Sequence, residues 1–197
     1  MFDYEIQKLD ESNRHLLNDF SCVETEEMLK TYNSKVKKRI IKHSKEMNDF
    51  LHNEAWDDQE KGLSTTYLFL YENKVVAYLS LCNDAIQLEL KEREGMELSY
   101  TTEPAIKVAR LAVSNEYQGH GLGKDALEFS VVISQYVREY SGVVFITLDC
   151  YEHRVSYYTK FGFVRNLIQP IEIPYDSPIS MRLWIDDYLE KTAYDIL

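Results

Sequence analysis

The sequence predicts a single α/β domain with a mixed, mostly antiparallel central sheet flanked by helices. Three observations predict it. The chain has 197 residues, enough for one compact domain and too few for two comfortable ones. Strand and helix patterns alternate over residues 106–170, the α/β signature. A hairpin pattern precedes them at residues 66–81.

Composition narrows the class. Hydrophobic residues at 45% and charged residues at 28% are ordinary for a globular protein, and 7 Gly with 4 Pro leave no room for low-complexity linkers. The formal net charge of -11 repels phosphate backbones at long range and argues against a nucleic-acid partner. No stretch nears the roughly 20 apolar residues that a membrane span needs. The start, Met1-Phe2-Asp3-Tyr4-Glu5, has no basic region leading into an apolar run, so no secretory signal is expected. Cys22, Cys82 and Cys150 lie far apart, without CxxC spacing, and read as part-buried thiols of a reducing cytoplasm. His15, His43, His52, His120 and His153 are scattered, so no metal is expected.

Along the chain, residues 2–9 alternate as a first strand. Residues 12–62 lack Gly and Pro until Gly62 and read as a charged helical part. Within them, residues 35–45 carry Lys35, Lys37, Lys38, Arg39, Lys42 and Lys45 and no acid. This run is either a solvated face with Val36, Ile40 and Ile41 turned inward or a phosphate-binding or docking patch. Runs 66–71 and 75–81 around Glu72, Asn73 and Lys74 make the hairpin. Residues 84–103 are acidic and read as an irregular connection. A strand follows Pro104 and ends near Val113. Leu122, Ala126, Phe129, Ile133 and Val137 then recur at helical spacing until Gly142. The apolar run 143–150 fits a buried strand. A short helix over 153–161 stops at Gly162. Strand runs near 163–173 and 179–185 precede a C-terminal helix.

The stretch 118–124, QGHGLGK, is the most informative. Gly119, Gly121 and Gly123 alternate there, and glycine costs backbone entropy, so three in five residues need a reason. Between a strand and a helix, glycines let main-chain N–H groups curl around an anion, and the helix N-terminus adds its own donors and dipole. Lys124 can add charge; Asp125 has the wrong sign. The spacing fits neither a Walker loop nor the GxGxxG dinucleotide fingerprint.

Gln118-Gly119-His120-Gly121-Leu122-Gly123 resembles the (Arg/Gln)-x-x-Gly-x-(Gly/Ala) motif of the GNAT superfamily of N-acetyltransferases, and Arg110-Leu111-Ala112-Val113 resembles its preceding strand. The resemblance is strongest over residues 104–163, which it marks as the acetyl-CoA-binding core; residues 1–63 read as the helical N-terminal part of the domain and are expected to shape the acceptor site. It implies acetyl-CoA as co-substrate, its pyrophosphate held by the backbone of Gln118, Gly119, His120, Gly121, Leu122, Gly123 and Lys124. It also implies that main-chain groups of Leu111, Ala112 and Val113 pair with the pantetheine arm. A backbone N–H near Val113 would meet the developing oxyanion.

Tyr158-Thr159-Lys160-Phe161-Gly162-Phe163 matches the same family's Tyr-x-x-x-Gly-Phe. By that resemblance Tyr158 protonates the departing thiolate, with Tyr157 the runner-up. The chemistry asks for such a group, because an amine attacking a thioester expels a sulfur anion. Tyr151 and Arg154 stand where the family commonly has Asn and Ala. An attacking amine must also lose a proton, and Asp84, Glu103, Glu116 and Asp149 are the carboxylates to consider. No activated nucleophile is evident, so transfer is expected in a ternary complex. The acidic balance favours a cationic amine acceptor. Two alternatives stay open: residues 54–81 and 110–123 are also similar to acetyltransferase toxins that modify aminoacyl-tRNA, and a CoA-binding module without turnover needs the same loop. The oligomeric state is open too, a homodimer included.

Overall fold

In the computed structural model, which describes residues 3–169 and 177–194, the chain opens with strand β1 (Glu5–Lys8). A 3-10 turn (Arg14–Asp19) and an irregular stretch lead to helix α1 (Ser34–Asp49). A wider π-type turn (Phe50–Glu54) carries α1 into α2 (Ala55–Glu60). The expected continuous helical part is therefore interrupted. Its long helix begins only where Asn33 accepts a hydrogen bond from the Val36 N–H and caps the first turn.

Strands β2 (Thr65–Tyr71) and β3 (Lys74–Gln87) form the expected hairpin. Glu72 and Asn73 close it with φ of 47° and 63°, the left-handed pair that a two-residue loop needs to match strand twist. The connection expected to be irregular is more ordered than its composition suggests. β3 runs on to Gln87, a one-turn helix α3 (Leu90–Arg93) is closed by a Glu89–Glu92 capping box, and strand β4 (Thr102–Val113) starts before Pro104. Then come a 3-10 turn (Asn115–Tyr117), α4 (Leu122–Arg138), β5 (Phe145–Cys150), α5 (Glu152–Phe161), β6 (Val164–Arg165), β7 (Ile179–Trp184) and α6 (Ile185–Tyr194). The expected strand run 163–173 is strand only at its start, and its last residues lie outside the described ones.

The strands make one seven-stranded mixed sheet in the order β1-β2-β3-β4-β5-β7-β6. β4 and β5 run parallel from Ala105↔Phe145 to Val108↔Leu148; β1/β2, β2/β3, β5/β7 and β6/β7 are antiparallel. The chain divides into two compact units, Met1–Leu81 with Arg110–Leu127 and Cys82–Ala109 with Glu128–Leu197. In the first, Phe20, Phe50, Leu51, Leu68 and Ala112 pack around Tyr78, whose hydroxyl donates to the Met47 carbonyl at 2.7 Å. Phe20, Phe50, Leu51 and Leu68 each stabilise the unit by about 1.5–3 kcal/mol on burial. In the second, Ile86, Leu88, Ala105 and Phe145 pack together, and Glu92 and Arg182 form a buried ion pair at 2.5 Å.

The buried face of α4 is rotated from the expected one. Leu122 and Ala126 are buried, but so are Leu127, Ser130, Val131 and Ser134, while Phe129, Ile133 and Val137 are half-buried. Two serines enter this face because Ser134 satisfies its hydroxyl on the Ser130 carbonyl, 2.7 Å away. Among the described residues, no helix is long and apolar enough to cross a membrane.

Candidate functional site

The end of β4 is tied down before the glycine loop begins. Ala112 points into the first unit's core, with Leu111 and Val113 half-buried on either side. The Ser114 N–H donates to the Val76 carbonyl and the Asn115 N–H to the Ser21 carbonyl, both at 2.9 Å. The Asn115 side chain donates to the Val23 carbonyl at 2.7 Å. These bonds fix the direction in which the chain leaves the strand.

Gly119 and Gly121 then take φ of 80° and 91°, and a Cβ at either would meet nothing within 4 Å. Backbone conformation, not lack of space, is what demands glycine there. Gly123 has an ordinary helical place inside α4, so its value is not conformational. Alternating left-handed residues turn successive N–H groups toward one side and form an anion-binding concavity. The Lys124 and Asp125 N–H groups both donate to the Gly121 carbonyl, at 2.8 and 3.1 Å. Among the described residues no backbone carbonyl claims the N–H groups of Gly119, Gly121, Leu122 or Gly123. The helix end thus presents its positive dipole pole and free donors together.

Side chains around the loop have separate duties. Gln118 turns back on the loop, donating to Asn115 Oδ1 at 3.2 Å and approaching the Val113 carbonyl at 3.4 Å. His120 places Nδ1 3.2 Å from the Tyr117 carbonyl, so that nitrogen carries the hydrogen. Leu122 is 2% exposed and serves as a core anchor, leaving only its main chain for a ligand. Lys124 is exposed. Asp125 is restrained: the Tyr4 hydroxyl donates to its Oδ2 at 2.8 Å. Tyr4, 121 residues away in the chain, carries no sequence signal that could have found it.

Tyr158 belongs to the second unit and lies in the last turn of α5. Its ring meets Tyr157 and Phe163 edge to face, with centroids 5.2 and 5.8 Å away. The Phe163 N–H donates to the Tyr158 carbonyl at 3.0 Å, across Gly162 at φ 115°. A Cβ on Gly162 would come within 3.1 Å of Leu183 Cδ1. The Gly-Phe pair therefore stops the helix and clamps the tyrosine. Burial above all pushes the Tyr158 phenol up, the Cys150 thiol and Tyr157 add to this, and Arg154 opposes it. The phenol is thus held in its neutral, hydrogen-donating form. Tyr157, the runner-up, is 41% exposed.

The four carboxylates differ sharply. Glu116 is exposed in the 3-10 turn and Glu103 is buried near the start of β4. Asp149 is paired with Lys107 at 2.6 Å. Asp84 accepts from the Thr147 hydroxyl at 2.5 Å. Cys150 is buried with its sulfur 3.5 Å from that of Met181, and burial pushes its thiol up to about 12, the opposite of what a nucleophile needs. Among the described residues no group of His, Cys, Asp and Glu could hold a metal ion.

Comparisons with known proteins bear on the fold and the family. The model of the acetyltransferase (GNAT) family matches residues 26–163. No curated protein is similar enough to be matched to this chain. Among solved structures, a Tyr-to-Phe mutant of KacT superposes with a TM-score of 0.73 at 12% identity, covering 95% of this chain and 98% of that one. AtaT complexed with acetyl-methionyl-tRNAfMet gives 0.73 at 14% identity, over 96% and 99% of the two chains. AtaTR bound with AcCoA gives 0.65 at 15% identity, over 96% and 98%. At such identities these likenesses speak for the fold. The family model spans both the strand-loop-helix with its left-handed glycines and the tyrosine clamped by Gly162 and Phe163, and the chain belongs to the acetyltransferase (GNAT) family.

Proposed function

We propose that this chain moves the acetyl group of acetyl-CoA to a primary amine by direct attack in a ternary complex. The observation that carries the reading is the pair of left-handed glycines, 119 and 121, opening α4 with unclaimed peptide N–H groups. That set of donors fits a diphosphate, which needs several N–H groups at once and gains from the helix pole. Gly119, Gly121, Leu122 and Gly123 would hold it through main-chain N–H groups, with His120 and Lys124 at the rim and Gln118 bracing the turn. Leu111, Ala112 and Val113 would line the pantetheine arm as an added strand edge.

The amine nitrogen attacks the thioester carbonyl carbon, the C–N bond forms, and the C–S bond breaks. Tyr158 gives the departing sulfur a proton, the nitrogen loses one to solvent, and Tyr158 is reprotonated from solvent, so that one amine and one thioester give one amide and one thiol. A phenol kept neutral by burial suits this work, since it arrives at the step already carrying its proton. Released thiol should be measured with acetyl-CoA and a panel of polyamines, peptides and aminoglycosides. Tyr158→Phe is expected to lower kcat by about 10²–10⁴ with the KM for acetyl-CoA unchanged. Equal kcat in that variant would remove Tyr158 from the step. No thiol release with any amine of the panel would favour a CoA-binding module.

A second reading is favoured by one surface feature. Lys35, Lys38, Lys42 and Lys45 recur along one exposed face of α1, against the acidic balance of the whole chain. The AtaT structure with acetyl-methionyl-tRNAfMet shows that a relative of this fold accommodates such a ligand. An aminoacyl-tRNA offers a primary α-amine and a phosphate backbone for that stripe. Binding of charged tRNA that weakens steeply with salt, and drops when Lys38 and Lys42 become Glu, would establish this acceptor. Absence of binding at low salt would leave the small-amine reading.

A further inference from the structure

Between the first 3-10 turn and α1 runs a short strap, Phe20 to Glu24, that belongs to no helix or strand. Its burial alternates as in an extended chain: Phe20, Cys22 and Glu24 are buried, Ser21 is exposed and Val23 half-buried. In such a chain the N–H and C=O of one residue point to one edge and those of the next residue to the other. The two edges of this strap meet different parts of the first unit.

One edge lies along α1. The Glu24 N–H donates to Ser44 Oγ at 2.9 Å and the Cys22 N–H to Asn48 Oδ1 at 3.1 Å. His52 Nε2 donates to the Phe20 carbonyl at 3.1 Å. Ser44, Asn48 and His52 are four residues apart along the helix and its π-type turn, while Glu24, Cys22 and Phe20 are two apart and run the opposite way. The spacings match, because four helical residues advance about 6 Å and two extended residues about 6.6 Å.

The other edge meets the chain leaving β4. The Ser21 carbonyl accepts from the Asn115 N–H at 2.9 Å, and the Val23 carbonyl accepts from Asn115 Nδ2 at 2.7 Å. Asn115 Oδ1 in turn accepts from Gln118 Nε2 at 3.2 Å. Asn115 therefore uses its peptide donor, its side-chain donor and its acceptor to join the strap to the residue immediately before Gly119. Glycines at positive φ are free to turn elsewhere, so peptide N–H groups beside them converge on an anion at low cost only if the flanking chain is already held.

We propose that Asn115, braced through the Phe20–Glu24 strap on Ser44, Asn48 and His52, is the positioning residue that pre-forms the diphosphate loop for acetyl-CoA. This rests on the acetyl-transfer reading above. None of these side chains is assigned a contact with the reacting atoms. Each acts through Gln118 and the peptide groups that follow it, so its loss weakens cofactor binding and leaves the chemical step alone.

Calorimetric titration of the full chain with acetyl-CoA tests this without an acceptor. Asn115→Ala is expected to raise the Kd about tenfold and Asn48→Ala about threefold. Asn48→Asp keeps an acceptor for the Cys22 N–H and is expected to stay within about 1.5-fold of wild type. Because the two residues act in series, the double Asn48→Ala, Asn115→Ala variant should remain near about tenfold and not reach about thirtyfold. At saturating acetyl-CoA, kcat with the best amine of the panel should stay within about twofold in every variant. An unchanged Kd in Asn115→Ala, equal weakening by Asn48→Asp and Asn48→Ala, additive losses in the double variant, or a kcat that falls with the Kd would each overturn the assignment. Should Asn115→Ala not fold, the two Asn48 variants decide by the same rule. Failure of wild type to bind acetyl-CoA would defeat the transferase reading itself, whereas tight binding by wild type and variants alike would defeat the positioning role alone.

Discussion

At the scale of single residues, the chemistry depends on groups that hold other groups in place. The Tyr4–Asp125 hydrogen bond restrains a carboxylate in the first turn of α4, beside the loop proposed to bind diphosphate. Freed of that bond, the carboxylate can swing toward the loop, and two like charges brought to about 8 Å at an effective dielectric of about 40 repel by roughly 1 kcal/mol, an upper bound of about fivefold in affinity. Tyr4→Phe is therefore expected to raise the KM for acetyl-CoA by up to about fivefold with kcat unchanged, and adding Asp125→Asn should restore it. A KM that stays high in the double variant would show that Tyr4 acts only on stability. The cysteines give a second check, with its sign set by burial. Cys22 and Cys150 are both pushed up to about 12, so at pH 8 roughly one such thiol in ten thousand is the reactive thiolate. Alkylation at pH 8 should reach half-buried Cys82 alone, and labelling of Cys150 at a comparable rate in folded protein would contradict this.

At the scale of elements, motifs with a local physical cause were legible and those with a distant cause were not. The hairpin, the glycine loop opening α4 and the stop at Gly162 all follow from residues whose conformation is set by their neighbours. The full length of β3 and the rotated buried face of α4 were not legible. Ser130 and Ser134 read as polar until Ser134 is seen to satisfy itself on its own helix, and Asp84 reads as loop until β3 is seen to extend to Gln87. The same distinction explains 12–62, where absence of Gly and Pro suggested one helix but Asn33 starts the true one. Gly162 supplies the test at this scale. Its φ of 115° and the 3.1 Å approach to Leu183 mean that Gly162→Ala should lose about 2 kcal/mol in a denaturant melt. A loss below about 0.5 kcal/mol would show that the turn tolerates a side chain and does not clamp Tyr158.

At the scale of the whole molecule, composition gave the class and the motifs gave the family, while the acceptor lies between them. A net charge of -11 says that the surface field favours cations, yet the exposed lysines of α1 run against that field in one place. No overall count reveals such a local reversal, because it depends on which residues share a helix face.

The proposed acetyl transfer depends most on peptide nitrogens of the loop after β4 gripping a diphosphate. Amide resonances of the isotope-labelled protein, followed as acetyl-CoA is added, test this directly. The signals of Gly119, Gly121, Leu122 and Gly123 should move strongly downfield and saturate together with thiol-release activity. Saturating cofactor that leaves those four amides where they were, while thiol is still released, would contradict it.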